Sequence, residues 1–179
     1  MRTLILGGTA WLGREIAEQL VARGEDVTCL ARGESGAVPP GVTSVRTDRR
    51  DPGAYDSVKG SDWDEIIELT YEAELVTGAL EALADNAQHW TLVSSVSVYA
   101  SNSEPGADEE AALVEPTDLD NYAHAKVAAE RATTEAVGAS TYRETGSYRW
   151  AGRYQRPFQL LGIAPGTRSA RIRSRARCA

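Results

Sequence analysis

Cysteine is almost missing from this 179-residue chain. Cys29 and Cys178 are the only two, and their separation fits neither a disulfide framework nor the ligand spacing of a zinc site. Cys29 lies in an apolar stretch, where a buried, inert thiol is expected. Histidine is as scarce: His89 and His124 stand alone, which leaves histidine-based catalysis and metal binding without support. Long apolar runs are absent too. No window approaches the roughly eighteen apolar residues of a membrane span, and Met-Arg-Thr-Leu-Ile-Leu is too short for a signal-peptide core, so a cytoplasmic protein without membrane contact is expected. There is no internal repeat.

Basic charge is missing from most of the chain and crowded into its end. Residues 1–140 hold 10 Lys and Arg against 25 Asp and Glu, about −15; residues 141–179 hold 9 Arg against the single acid Glu144, about +8. So acidic a body repels phosphate backbones, and no nucleic-acid partner is expected.

What is present alternates between strand and helix. Leu4-Ile5-Leu6 is an apolar run ended by Gly7-Gly8, and from Leu12 onward the residues Leu12, Ile16, Ala17, Leu20 and Val21 recur at helical spacing. Gly24 closes that helix and Val27 to Leu30 forms a second β-rich run, completing a βαβ unit. A weaker strand is expected near Val42 to Val45, a stronger one at Ile66-Ile67, a helix face between Val76 and Ala87, a buried strand at Thr91 to Val93, and an Ala-rich helix from Asn121 to about Val137. Such alternation predicts an α/β fold, a doubly wound parallel sheet with helices on both faces.

The bend Gly7-Gly8-Thr9-Ala10-Trp11-Leu12-Gly13 falls where a strand becomes a helix. A diphosphate there would meet unpaired backbone N–H groups and the positive end of the helix dipole, and small residues let it approach the backbone. About twenty residues after such a bend, a dinucleotide site reads the adenosine ribose: an acid suits the 2′-hydroxyl of NAD, a base the 2′-phosphate of NADP. Leu30-Ala31-Arg32-Gly33 offers no acid and one cation, so NADP is favoured over NAD, with Arg14 as a second phosphate contact.

The bend resembles the Gly-Gly-Thr-Gly-Phe-Ile-Gly loop of the extended short-chain dehydrogenases, the epimerase/dehydratase family, with Ala10 in place of the middle glycine and Trp11 in place of Phe or Tyr. Asp48, ahead of Arg49-Arg50-Asp51, resembles the family's aspartate that contacts the adenine amino group; surface turn chemistry explains it almost as well. Val93-Ser94-Ser95-Val96-Ser97-Val98-Tyr99 is similar to the family's Ser-Ser-x-x-Val-Tyr segment and implies Ser95, rather than Ser94 or Ser97, as the catalytic serine, with Tyr99 packing nearby. Tyr122-Ala123-His124-Ala125-Lys126 matches its Tyr-x-x-x-Lys.

Residues four apart share a helix face, so Tyr122 and Lys126 can point together into the crevice, with His124 on another face. An ammonium beside a phenol lowers its pKa from about 10 toward the working range and makes it a usable acid and base. The resemblance implies that Tyr122 exchanges a proton with a substrate hydroxyl or carbonyl, that Ser95 bonds the same oxygen, and that Lys126 also holds the nicotinamide ribose. It implies a small-molecule substrate of the nucleotide-sugar kind and a homodimer paired through the helices flanking the site. A non-catalytic NAD(P)-binding sensor or remnant on the same fold is the second reading.

Asp108-Glu109-Glu110 is expected to be a solvated acidic loop. The resemblance covers residues 1–140, a dinucleotide-binding domain; the Arg-rich stretch 141–179 is expected to be disordered or translated out of frame, leaving the family's substrate region absent and the activity of the chain in question.

Overall fold

A computed structural model describes residues 1–101, 103 and 110–137; Asp108, Glu109 and the stretch 141–179 lie outside the described residues. The chain runs β1 (Arg2–Leu6), α1 (Trp11–Ala22), β2 (Asp26–Ala31), β3 (Thr43–Arg46), β4 (Glu65–Glu68), α2 (Ala73–Leu83), β5 (Trp90–Leu92) and α3 (Tyr122–Val137), with single 3-10 turns at Ala84–Asn86 and Val96–Val98. The strands pair in the order β3-β2-β1-β4-β5, all parallel. This is the doubly wound, Rossmann-like α/β fold. The helix face read between Val76 and Ala87 begins earlier, at Ala73, and gives way to the 3-10 turn after Leu83.

Strand periodicity assigns the two layers. In β1, Leu4 and Leu6 join one apolar cluster with Ile66, Val76, Leu80, Leu83 and Ala129, beneath α2 and α3. Ile5, between them, joins the other with Ile16, Ala17, Leu20, Val27 and Cys29, beneath α1. Both faces of β1 are therefore dry. Each fully buried Leu or Ile contributes about 1.5–3 kcal/mol, and the central strand carries three in a row. Burial pushes the Cys29 thiol up to about 12, so it stays protonated and inert as expected.

Parallel pairing puts every carboxyl end on one edge of the sheet. Leu6 pairs with Leu30 on one side and Glu68 on the other, Ala31 with Arg46, and Glu68 with Leu92. After β3 the chain returns to the far side of β1, so connections diverge between β1 and β4 and open the crevice where such folds bind ligands.

Candidate active site

The glycine bend stands at the carboxyl end of β1. Gly7 adopts φ +105°, a left-handed conformation that favours glycine. A Cβ on Gly8 would lie 2.2 Å from Cys29 Sγ, and one on Gly13 would lie 2.7 Å from Gly8 Cα, so the bend and α1 are in direct backbone contact with their neighbours. The first turn of α1 holds no acid, and Ala10 at its N-cap provides no side-chain cap. The positive end of the helix is thus left for an external anion, and the closeness of the backbone fits a diphosphate. Thr9 is buried, Leu12 is half-buried against the α1 cluster, and Trp11 stands out from the bend, 71% exposed.

At the ends of β2 and β3 the adenosine-reading candidates come together. Arg32 lies 3.2 Å from Glu34 and 4.0 Å from Asp48. Its charge is shared with two carboxylates rather than free, which the sequence reading did not foresee. Asp48 accepts a hydrogen bond from the Arg50 backbone N–H at 3.0 Å, the turn chemistry weighed for it, while one face remains toward Arg32. Arg14 donates to the Ala37 carbonyl at 2.5 Å. Arg46 was not singled out by the sequence; its Nε donates to the Arg32 carbonyl at 2.9 Å, adding a third guanidinium to the same loop. Only the pairing of β2 with β3 reveals it.

At the other end of the crevice Ser95 caps the 3-10 turn that follows β5. Its Oγ accepts from the Ser97 N–H at 3.2 Å and lies 2.9 Å from Ser97 Oγ. The helix α3 packs against this turn. Tyr99 is buried, and its hydroxyl and that of Ser94 have no hydrogen-bond partner among the described residues.

Tyr122 and Lys126 both start α3 but differ in surroundings. Lys126 is 3% exposed; its ammonium donates to the Thr70 carbonyl at 2.9 Å and to the Val93 carbonyl at 2.5 Å. Both bonds go to backbone carbonyls that follow β4 and β5 rather than to the Tyr122 hydroxyl. Burial pulls Lys126 down to about 8, against the opposing charges of Glu68 and Glu130. Tyr122 is 45% exposed and its ring lies 5.1 Å from that of Tyr71 at 59°. Thr70 and Tyr71, neither apparent from the sequence, belong to the link between β4 and α2 and touch both candidates.

The histidines are accounted for elsewhere. His89 Nδ1 lies 3.1 Å from Glu65, whose hydrogen bond raises its pKa, and His124 Nδ1 accepts from the Asp118 N–H. Among the described residues no cluster of acids, histidines or cysteines could hold a metal ion, and no helix is long and apolar enough to cross a membrane.

Solved structures share this architecture. A UDP-galactose 4-epimerase superposes with a TM-score of 0.65 at 18% identity, over 75% of this chain and 51% of that one. The Bordetella bronchiseptica enzyme WbmG in complex with NAD gives 0.62 at 16%, over 76% and 50%. Vestitone reductase from alfalfa (Medicago sativa) gives 0.60 at 22%, over 75% and 51%. The chain spans about half the length of these structures, and at such identities they establish the fold alone. No curated protein matches the sequence. The profile of one family matches residues 3–162, running past residue 140 where the motif resemblance ends. With the glycine bend and the Ser95, Tyr122 and Lys126 segments inside that match, the chain belongs to the NAD dependent epimerase/dehydratase family.

Proposed function

We propose that the chain is an NAD(P)-dependent oxidoreductase or epimerase acting on a hydroxyl- or carbonyl-bearing small molecule of the nucleotide-sugar kind, with NADP preferred over NAD. The observation that carries it lies along one sheet edge: an uncapped helix N-terminus at β1 and, across the crevice, Lys126 bonded to the Thr70 and Val93 carbonyls, Tyr122 against Tyr71 in the β4–α2 link, and Ser95 at the turn after β5. Solved neighbours that act on UDP-sugars, or that are reductases, support the substrate class.

The nicotinamide, when bound, supplies or accepts the hydride. The chain's own residues do the rest. Backbone N–H groups of the Gly7–Gly13 bend hold the diphosphate, and Lys126 holds the ribose. Tyr122, half-exposed, gives or takes the proton at the reacting oxygen, and Ser95 Oγ bonds that oxygen. Arg32, Arg14 and Arg46 support the NADP preference, since three guanidinium groups stand around one loop and a 2′-phosphate would draw Arg32 and Arg14 from their exposed partners Glu34, Asp48 and Glu18.

Titration of the purified chain with NADPH and NADH, followed by quenching of the exposed Trp11, tests the reading. NADPH is expected to bind more tightly, and Arg32→Ala to weaken it by about tenfold, one lost charge-assisted contact, while leaving NADH unchanged. A chain that binds neither dinucleotide overturns the proposal. Binding without turnover of any sugar or carbonyl compound favours the non-catalytic sensor instead.

A further inference from the structure

We propose that the buried ion pair Arg49–Glu68 is a positioning device for Tyr122 and Lys126, acting on both through the Thr70–Tyr71 link; this rests on the reading of those two residues as catalytic.

Glu68 ends β4 directly beside the glycine bend and has no solvent exposure. A carboxylate so placed must be satisfied completely, because an unpaired buried charge is strongly destabilising. Arg49 meets it with both terminal nitrogens, at 2.9 and 2.5 Å, and is itself only 7% exposed. Its Nη2 also donates to the Leu75 carbonyl in α2 at 2.7 Å, and its Nε to the Tyr55 hydroxyl at 3.0 Å. Burial works against the Arg49 charge, but Glu68 outweighs it and holds the guanidinium firmly protonated.

The carboxylate does one thing more. Glu68 Oε1 accepts the Thr70 backbone N–H at 3.0 Å, while the Thr70 carbonyl on the same short segment accepts Lys126. The next residue, Tyr71, lies against the Tyr122 ring. Beyond it, Thr70 Oγ1 accepts from the Glu72 N–H, and Glu72 is paired with Arg50. One carboxylate therefore fixes the segment on which the lysine is hung and the phenol rests. A hydrophobic pair of equal volume would stabilise a sheet end at least as well; what it could not do is accept the Thr70 N–H or place a negative charge near the lysine.

The charged groups facing Lys126 are Glu68 from β4, with Arg49 behind it, and Glu130 from its own helix; the phenol of Tyr122 lies one turn back. Glu68 opposes the effect of burial on the ammonium. Removing its charge should lower the lysine further and loosen the Thr70 segment.

The experiment uses the full chain, whose only lysines are Lys59 and Lys126, so that lysine labelled with carbon-13 at Cε gives one resonance for each. Lys59 is exposed and serves as the internal reference. Glu68→Gln keeps an acceptor for the Thr70 N–H and removes the charge; Arg49→Met/Glu68→Gln does so without leaving a lone buried guanidinium, in case the single variant fails to fold. Both are expected to move the Lys126 midpoint down from about 8, raising the free amine at neutral pH about threefold, with Lys59 unmoved. Glu65→Gln, at the opposite end of β4, should leave both resonances in place. A cooperatively melting double variant with an unchanged Lys126 midpoint overturns the proposal. No cofactor or substrate enters this measurement, so a chain that fails to bind NADPH removes the function proposed above and leaves the lysine result standing.

Discussion

Replacing Gly13 by alanine tests whether the bend is held by backbone contact. The added Cβ would stand 2.7 Å from Gly8 Cα, 2.9 Å from Leu69 Cδ1 and 3.0 Å from the Gly7 carbonyl. Carbon atoms rest about 3.5–4.0 Å apart. The leucine methyl can swing aside, but the other two neighbours are main chain: the Gly8 Cα would have to retreat by about 0.8 Å or more and the Gly7 carbonyl by about 0.5 Å. Gly8 has little room to do so, since its own Cβ position is occupied by Cys29. Overpacking of this kind costs about 1–3 kcal/mol, which lowers the melting temperature by roughly 2–12 °C in a domain of this size. The displacement also lengthens hydrogen bonds to a diphosphate by a comparable amount, enough to weaken dinucleotide binding by about tenfold or more. Gly78→Ala, in the interior of α2 with nothing within 4 Å, is the matched control and should stabilise by about 0.5–1 kcal/mol. Thermal melts followed by circular dichroism and NADPH titration of both variants decide the matter. A Gly13→Ala chain that melts and binds as the parent does would refute the close-contact account.

Arg49→Met alone leaves the fully buried Glu68 carboxylate without its partner and should cost about 3–5 kcal/mol in urea unfolding, most of which Arg49→Met/Glu68→Gln restores; a double variant as unstable as the single would show that the charge is not the cause. Stability should also depend on alkaline pH in two opposing ways. Lys126 is held down at about 8 against 10.5, so between those values the unfolded chain binds the extra proton and stability rises with pH, by on the order of 3 kcal/mol; Cys29 is held up at about 12 against 9.0, so from 9.0 upward the unfolded chain has lost a proton the folded one keeps, and stability falls. Cys29→Ala should therefore prolong the rise that the parent loses above 9.0, and Lys126→Met should abolish it; unfolding titrations that climb equally with and without the lysine would contradict the assignment.

The sheet was legible because its strands are short apolar runs with glycine punctuation, signals that need no distant partner. Leu4 to Leu6, Val27 to Leu30 and Ile66-Ile67 fall within β1, β2 and β4, and the weak run Val42 to Val45 begins one residue before β3 and overlaps it. The start of α2 was harder, since Glu74 and the half-buried Gly78 dilute its periodicity and the Glu72 side chain at its N-cap turns to Arg50 instead of capping the helix. The glycine bend was legible for the same local reason as the strands. Arg46 was not, because its relation to Arg32 exists only once β2 and β3 lie side by side.

The strand Glu65-Ile66-Ile67-Glu68 shows where such reading ends. Two apolar residues are flanked by identical acids, and nothing local distinguishes one flank from the other. Yet Glu65 keeps part of its surface in water and shares it with His89 and Thr91, whereas Glu68 is sealed. The difference comes from the direction of the sheet. All carboxyl ends face the crevice, where connections diverge and α2, α3 and the β4–α2 link close over the strand end; the amino ends face loops and solvent. A carboxylate can survive at the closed end only if a cation is delivered to it, and that cation lies in the run Asp48-Arg49-Arg50-Asp51, which by composition is a surface turn. Three of those four charges do behave as turn residues, half-exposed or exposed. The fourth, Arg49, goes inward because Glu68 is there to receive it, and Glu68 tolerates burial because Arg49 arrives. Neither choice is stable without the other, so the pair is a property of the assembled crevice, and its cost is one a sheet would avoid unless the carboxylate at that position had work to do on Thr70 and Lys126.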